Sequence, residues 1–575
     1  MVRSSRSVVL VAAAAAAASC APEPAGRRDQ PRESGGRPVL VTVVIDQFPA
    51  WLADERLPEL PEGGGFARLR REGLYVRDMR YAHAIMHTGP GHAALYTGLP
   101  PRESGITIDT VFDPRGEEVS AYLGGGARLV TPDGGGRPAP GSSGARLRGE
   151  GIADRLRRAD RRAFIASVSL KDRGAIFAAG RAPDVCLWFD PATGGFATST
   201  AYGARFPAWA RPLGDRRAVA ATWRRPWRPL DREWLLARAS TPDDQPGESN
   251  MAGLGTVFPH RPAGSRAPKA FRATPAADAA VLALATAAVD RVPADAPVLI
   301  AVSLSANDYI GHAYGPESWE SWDEWRRLDA ALSRFMAHLD EVFGPGGWSM
   351  MLTGDHGVAP LPETLGLAEP RPWCRADTPD RWGRACAAGH RLLRWPLTRR
   401  LEEVAAATLA KAGPWVAGVI EPQVLLTDAA RALSPERRRL LIGALRAEIE
   451  RDPAVARTYD VAEMPAACPP RADQSIDALV CRSVVPGGAG DIYVLTRPGS
   501  FFDPDDDPGH GANHGTPYLY DRAVPLFVRA PGRVPAGAVI DRPVAFTTFA
   551  RTAATLLGVS LPAAVVGGVD LTRPP

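Results

Sequence analysis

The sequence predicts an α/β protein with a doubly wound, mostly parallel sheet. Three observations predict it: short apolar runs rich in β-branched residues, helical patterns between those runs, and carboxylate or imidazole residues directly after several of them. The run Val39 to Ile45 is almost continuously apolar rather than alternating, which is how a strand covered on both faces reads. Phe164 to Val168, Val298 to Leu304, Ser349 to Thr353, Ile492 to Leu495 and Val524 to Val528 are comparable. Each is too short for a helix, whereas Ala276 to Val289 and Trp322 to Val342 carry the helical period. Strands alternating with helices favour a parallel sheet with helices on both faces.

Composition agrees with a folded globular chain. Of 575 residues, 45% are hydrophobic and 23% charged, and Gly 57 with Pro 55 stay below the level of low-complexity disorder. Collagen, a coiled coil and a disordered tail are excluded. Lys+Arg 68 against Asp+Glu 64 leaves +4 over the whole length, too small a surplus for a nucleic-acid track. Nearly all the cations are Arg, since Lys occurs only at 171, 269 and 411. A lysine here is an unusual choice.

Residues 1–19 read as a processing signal. Arg3 and Arg6 precede the apolar run Val8 to Ala18, too short for a bilayer span, which takes about 20 apolar residues. Ala17-Ala18-Ser19-Cys20 resembles a bacterial lipobox, which makes 1–19 a lipoprotein signal peptide and Cys20 the lipidated residue. The alternative is an ordinary signal peptide with a chance cysteine. Residues 20–37 then form a flexible tether. With no Asp at position 21, the sorting rule for such lipoproteins favours the outer membrane, facing the periplasm or exterior. Export permits disulfides, for which Cys374/Cys386 and Cys468/Cys481 are the economical pairs, leaving Cys186 free. Residues 38–575 are expected to form one large domain, with irregular insertions near 112–298 and 360–491 capping the rim of the sheet.

The strand ends carry the chemistry. Asp46 follows the first run, Ser305 to His312 follow the third with Asp308 and His312 one helical turn apart, and Asp355-His356-Gly357 follow the fourth. In open α/β sheets ligands bind beyond the carboxyl ends of the strands, so these groups are expected at one rim. Singly, each has an ordinary explanation: Asp after a strand commonly caps or turns, and an i, i+4 pair is commonly a surface contact. Together, in a chain with ten His, they point to a metal site. Hard oxygen and imidazole donors without thiolates suit Zn²⁺ or a similar divalent ion.

A nucleophile candidate lies in Thr88-Gly89-Pro90-Gly91-His92, which heads an Ala/Leu-rich helical stretch. Gly and Pro there are ordinary helix punctuation. A hydroxyl at a helix start, however, has free backbone N–H groups and the dipole beside it, which favour an alkoxide and an incoming phosphate.

With these blocks the sequence resembles the alkaline phosphatase superfamily, and within it the phosphate-irrepressible enzymes with a Thr nucleophile, relatives of the nucleotide pyrophosphatase/phosphodiesterases. Val43 to Asp46, the ThrGlyProGlyHis block with Tyr96-Thr97-Gly98, Asp308 to His312 with Asp355-His356-Gly357, and His514-Gly515-Thr516-Pro517-Tyr518 carry the resemblance, from about Pro38 to the C-terminus. It implies an alkaline-phosphatase-like sheet and two Zn²⁺ about 4 Å apart. One would be held by Asp308, His312 and His514, the other by Asp46, Asp355 and His356, with Thr88 as nucleophile and extra ligand. His510 is the alternative to His514. His83, His87, His92, His260, His338 and His390 are left to packing or surface roles.

Lys171 and Arg173, in Ser169-Leu170-Lys171-Asp172-Arg173, look like the Lys-x-Arg pair of these enzymes. On extended chain, residues two apart point the same way, so both could meet the free oxygens of a phosphoryl dianion. The reading without function is a solvated charge cluster. Asp109 stands where the family places an Asn that helps hold a phosphate oxygen, and an ionised Asp would repel the dianion unless protonated, bridged by a cation or turned away. The resemblance implies a zinc-dependent phosphomonoester hydrolase working through a phospho-Thr intermediate. The alternatives are a phosphodiesterase or nucleotide pyrophosphatase on the same bimetallic site, and a non-catalytic, lipid-anchored metal-binding module. Sulfatases of the superfamily need a Cys or Ser in a Cys-x-Pro-x-Arg setting, absent here. Expected partners are phosphate esters and, through the anchor, a membrane; no nucleic acid is expected as a specific partner.

Overall fold

The computed structural model describes residues 36–113, 116–134, 139–365, 381–384, 389–503 and 507–573. The signal peptide, Cys20, most of the tether, and the Cys374/Cys386 pair lie outside them. Along the chain the elements that build the site are β1 (Val39–Ile45), β2 (Leu74–Arg80), α1 (Thr88–Thr97), β3 (Phe164–Ser169), α2 (Asp172–Ala179), β4 (Val185–Asp190) and β5 (Gly195–Ser199). They continue with α3 (Pro275–Val289), β6 (Val298–Leu304), α4 (Ala306–Tyr314), α5 (Trp319–Phe343), β7 (Ser349–Gly354), β8 (Ala523–Arg529) and α6 (Thr547–Leu557).

The central sheet runs β2-β8-β7-β1-β6-β3-β4-β5 in space, with further strands extending both edges to 12. From β7 to β4 every neighbour is parallel. β8 is antiparallel to both β7 and β2, and β5 is antiparallel to β4. The continuous apolar reading of β1 is explained by its two faces. Val39, Val41, Val43 and Ile45 pack on one side with α3 and α5, while Leu40 and Val44 pack on the other with α1 and α6. Burying one such side chain contributes roughly 1.5–3 kcal/mol. Thr42, pointing to the second face, is satisfied by Tyr96 Oη at 2.8 Å.

Two strand assignments need correction. The run Val524 to Val528 lies in the central sheet, but antiparallel, within β8. The run Ile492 to Leu495 is not in that sheet: as Ile492–Thr496 it belongs to a four-stranded antiparallel sheet with Val416–Ile420, Gln423–Leu426 and Val455–Asp460. An apolar run reports that both faces are covered, not by what. Here Ile492 and Val494 face helices Arg394–Leu409 and Pro435–Ile449, whereas Tyr493 and Leu495 pack with Ala84, Ile85 and Leu479. The stretch 112–298 is likewise more than cap, because it returns β3, β4 and β5 to the central sheet. Cys468 and Cys481 form a disulfide and Cys186 is free and buried. Among the described residues no helix is long and apolar enough to cross a membrane.

Candidate metal centre and nucleophile

β7, β1 and β6 end level, since Ile45 is in register with Gly354 on one side and Leu304 on the other. The chain leaves all three at the same rim, so Asp46, Asp355-His356 and the start of α4 meet there. Helical geometry does the rest for Asp308 and His312, which share one face of α4, with Nε2 3.3 Å from Oδ1. His514 joins them from the segment leading into β8.

Two triads result, Asp308/His312/His514 and Asp46/Asp355/His356, each with donor atoms within 4.8 Å of one another. His514 Nε2 lies 3.2 Å from His312 Nε2 and 3.4 Å from Asp308 Oδ1. His356 Nε2 lies 3.2 Å from Asp46 Oδ1 and 3.7 Å from Asp355 Oδ2. His510, the alternative ligand, points its exposed ring at Asp507 instead.

The residues fit a pair of divalent metal ions. Asp46 Oδ1 and Oδ2, Asp355 Oδ2 and His356 Nε2 are buried with no partner in hydrogen-bond geometry, although Lys171 Nζ stands near Asp46 Oδ2 and His92 Nδ1 near Asp355 Oδ2. Leaving such a group unpaired costs about 1–3 kcal/mol, more when charged, and several in one pocket are the mark of a cation site. The ring orientations agree. Each Nδ1 meets a backbone carbonyl: His312 with Ala512 at 2.8 Å, His514 with Met86 at 2.6 Å and His356 with Gly357 at 3.0 Å. A carbonyl can only accept, so Nδ1 carries the proton and Nε2 is turned to the site.

Thr88 opens α1 behind an extended His87, 2% exposed. Its Oγ1 accepts from Lys171 Nζ at 3.0 Å. The same ammonium lies 2.6 Å from Asp308 Oδ2 and 2.8 Å from Asp46 Oδ2, linking the two triads. Burial works against its charge, but Asp308 and Asp46 outweigh that and hold it above the usual lysine value.

Lys171 and Arg173 do not sit side by side on extended chain. Lys171 caps α2 and Arg173 is already in its first turn, so the pair is held by a helix start rather than by extended chain, and both still line one cleft. Arg173 Nε lies 2.9 Å from Asp109 Oδ2, an ion pair without hydrogen-bond alignment. Asp109 also accepts from Gly89 N–H at 3.0 Å and Tyr122 Oη at 2.9 Å. A carboxylate at this helix start satisfies an open N–H and suits the dipole. Its approach requires Gly89, where a Cβ would sit 2.2 Å from Asp109 Oδ1. A cation does stand against Asp109, the Arg173 guanidinium. Asp109→Asn should therefore keep the Gly89 contact, release Arg173, and leave monoester kcat/KM unchanged or raise it by up to about tenfold. Steady-state kinetics on an aryl phosphate check this, and a tenfold loss would contradict it.

Sequence reading missed a supporting layer. Gln47, at φ 60, donates its N–H to Asp355 Oδ1 at 3.2 Å and its amide to Asp308 Oδ1 at 3.1 Å. Gly311 makes room for that side chain, since a Cβ there would stand 1.8 Å from Gln47 Oε1. Asn307 ties α4 to β1 through the carbonyls of Asp46 and Gln47, both at 2.8 Å. His92, left to packing, has Nδ1 2.9 Å from Thr88 O and 3.2 Å from Asp355 Oδ2. Adjacency to a ligand was the available signal for Gln47 and Asn307. For His92 it was the i+4 spacing from Thr88.

The rim, its paired acid and imidazole triads and the hydroxyl beside them define a bimetallic α/β centre. The fold is that of the crystal structure of wild-type alkaline phosphatase PafA, with TM-score 0.77 at 23% identity over 92% of this chain and 98% of that one. The chain belongs to the type I phosphodiesterase / nucleotide pyrophosphatase family, a family of hydrolases, whose model matches residues 40–517. It is 32% identical to alkaline phosphatase PhoV of Synechococcus elongatus over 57% of this chain and 60% of PhoV. It is 27% identical to alkaline phosphatase PhoK of a Sphingomonas species over 85% of this chain and 83% of PhoK. The match thus spans about three fifths of PhoV and most of PhoK. The family resemblance read from the four sequence blocks is borne out.

Proposed function

We propose that the protein is a zinc-dependent phosphomonoester hydrolase acting through a phospho-Thr intermediate at Thr88. The observation that carries this is the Thr88 hydroxyl at the start of α1, 3.0 Å from Lys171 Nζ and beside two ligand triads. Asp308, His312 and His514 would hold one Zn²⁺, and Asp46, Asp355 and His356 the other. What the metals supply when bound is charge for the phosphoryl oxygens and a lowered pKa for the attacking hydroxyl. Thr88 Oγ1 loses its proton to solvent and attacks phosphorus in line, and the P–O bond to the leaving group breaks with its electron pair going to that oxygen, which takes a proton from solvent. Water then displaces Thr88 from phosphorus, releasing orthophosphate, restoring the hydroxyl and giving net retention after two inversions. Lys171 stabilises the charge that gathers on the phosphoryl oxygens. The helix start of α1 holds the hydroxyl in position, with His92 bracing the Thr88 carbonyl. Substitution of Thr88 with metal analysis is the decisive test.

A second reading, phosphodiester hydrolysis, is favoured by one observation: the Arg173 charge is matched by Asp109. Comparing matched mono- and diesters separates the two.

The lipobox reading adds that Cys20 is lipidated and holds the enzyme on a membrane, outside the cytoplasm. Cys20→Ser should release soluble protein or block processing, read by fractionation and by mass of the mature N-terminus. Wild-type protein found soluble and unmodified would end this reading.

A further inference from the structure

The cleft that opens from Lys171 and Arg173 holds about 1450 Å³, against the roughly 300–1,000 Å³ of most small-molecule sites. One phosphoryl group leaves most of it empty. Its outer wall is cationic. Arg128 stands on the strand Leu123–Val130, one in from the sheet edge, and Arg205, Arg211 and Arg216 around the helices Arg211–Gly214 and Arg216–Thr222. All four are exposed, and their side chains make no ion pair or hydrogen bond among the described residues. Arg272 connects this wall to the reactive end. Its guanidinium lies 4.4 Å from the Tyr309 ring centroid and donates to Tyr309 Oη at 2.8 Å, while Lys171 Nζ lies 5.0 Å from the same ring.

The carboxylates of the cleft are mostly engaged elsewhere. Asp172 accepts from the hydroxyls of Ser120 and Ser142, Asp190 from the N–H groups of Ala192 and Thr193, and Glu118 pairs with Arg394. In a chain whose formal charge is only +4, uncompensated arginines gathered along one cleft repel each other and raise local anion concentration. Guanidinium forks match tetrahedral oxyanions with two parallel N–H···O bonds. Aromatic recognition of a base is poorly supplied, because Trp188, Phe189 and Phe206 are 4%, 2% and 3% exposed.

We propose that this cleft is a subsite for additional phosphoryl groups, so that preferred substrates are esters whose leaving group itself carries one or more phosphoryl dianions. The reacting group sits at Thr88, and the others are held by Arg272 and the Arg205/Arg211/Arg216 wall. The proposal rests on the reading of the Thr88 site as a phosphoester hydrolase.

Fructose 1,6-bisphosphate and fructose 6-phosphate differ by one phosphoryl group and test it on the metal-loaded protein. At low ionic strength kcat/KM should favour the bisphosphate at least about tenfold, and the advantage should shrink toward parity in about 0.5 M salt as screening sets in. The triple variant Arg205→Ala/Arg211→Ala/Arg216→Ala should cut that ratio about tenfold, and the triple Lys variant should keep most of it because the charge remains. A wild-type ratio near one, or a ratio unchanged in the alanine variant, overturns the proposal. Calorimetric titration of both sugars into Thr88→Ala reads the same preference without turnover. If the wild type hydrolyses neither sugar nor an aryl phosphate, the phosphomonoesterase reading fails, and the binding ratio still decides whether the cleft selects the second phosphoryl group.

Discussion

Thr88→Ala should lose about three or more orders of magnitude in turnover of an aryl phosphate while retaining both metals. Deleting a nucleophile leaves only what binding and electrostatics supply, and such residues commonly cost about 10³-fold or more. The fold should tolerate the change: Thr88 lies at the first position of α1, its hydroxyl contacts Lys171, and the six triad residues come from other segments. Metal content, measured alongside kcat, separates loss of the nucleophile from loss of the centre. Near-wild-type turnover in a metal-replete variant would remove the phospho-Thr mechanism.

The second large effect is on substrate class. The wild type should favour an aryl phosphate over the matched aryl methyl phosphate in kcat/KM, because the monoester brings one more negative charge to Lys171. Losing that charge-assisted contact in a buried site should cost roughly 1.5–3 kcal/mol, or about one to two decades. Lys171→Ala should therefore reduce monoester hydrolysis by that much and diester hydrolysis by less. Arg173→Ala should likewise erode the preference for the monoester, with Asp109 compensating part of its charge. Metal content must again be followed, since Lys171 lies within 2.8 Å of both Asp46 and Asp308. A wild type faster on the diester, or equal losses on both substrates, assigns the chain to phosphodiester hydrolysis.

The strands that carry ligands were legible because burial on both faces leaves an uninterrupted apolar run, and the residue after such a run is placed by the sheet itself. Asp46 and Asp355 follow from that alone. Asp308 and His312 needed only the helical period. Ile492 to Leu495 misled because the same burial is produced by a small antiparallel sheet with helices on one face and the Ala84-Ile85 segment and Leu479 on the other. Only the extended-chain geometry expected for Lys171 and Arg173 fails, for a local reason: the strand ends at Ser169 and α2 begins at Asp172, so the pair straddles a change of period from two to 3.6. The partnership of Arg173 with Asp109 joins segments 64 residues apart by position number, and nothing local encodes it. Gln47 had only its adjacency to Asp46 as a signal, because its contacts to Asp355 and Asp308 come from distant segments and its left-handed backbone is one no composition rule marks for a glutamine.

The carbonyl contacts of the three imidazoles have an evolutionary consequence. The atoms that fix the rings of His312, His514 and His356 belong to the main chain of Ala512, Met86 and Gly357. Replacing the Met86 or Ala512 side chain leaves the carbonyl in place, so no single missense change deletes the acceptor as it would a carboxylate. Sequence drift at those positions is filtered through backbone path, and insertions or deletions between residues 86 and 88 or 512 and 514 become the mutations that selection must remove.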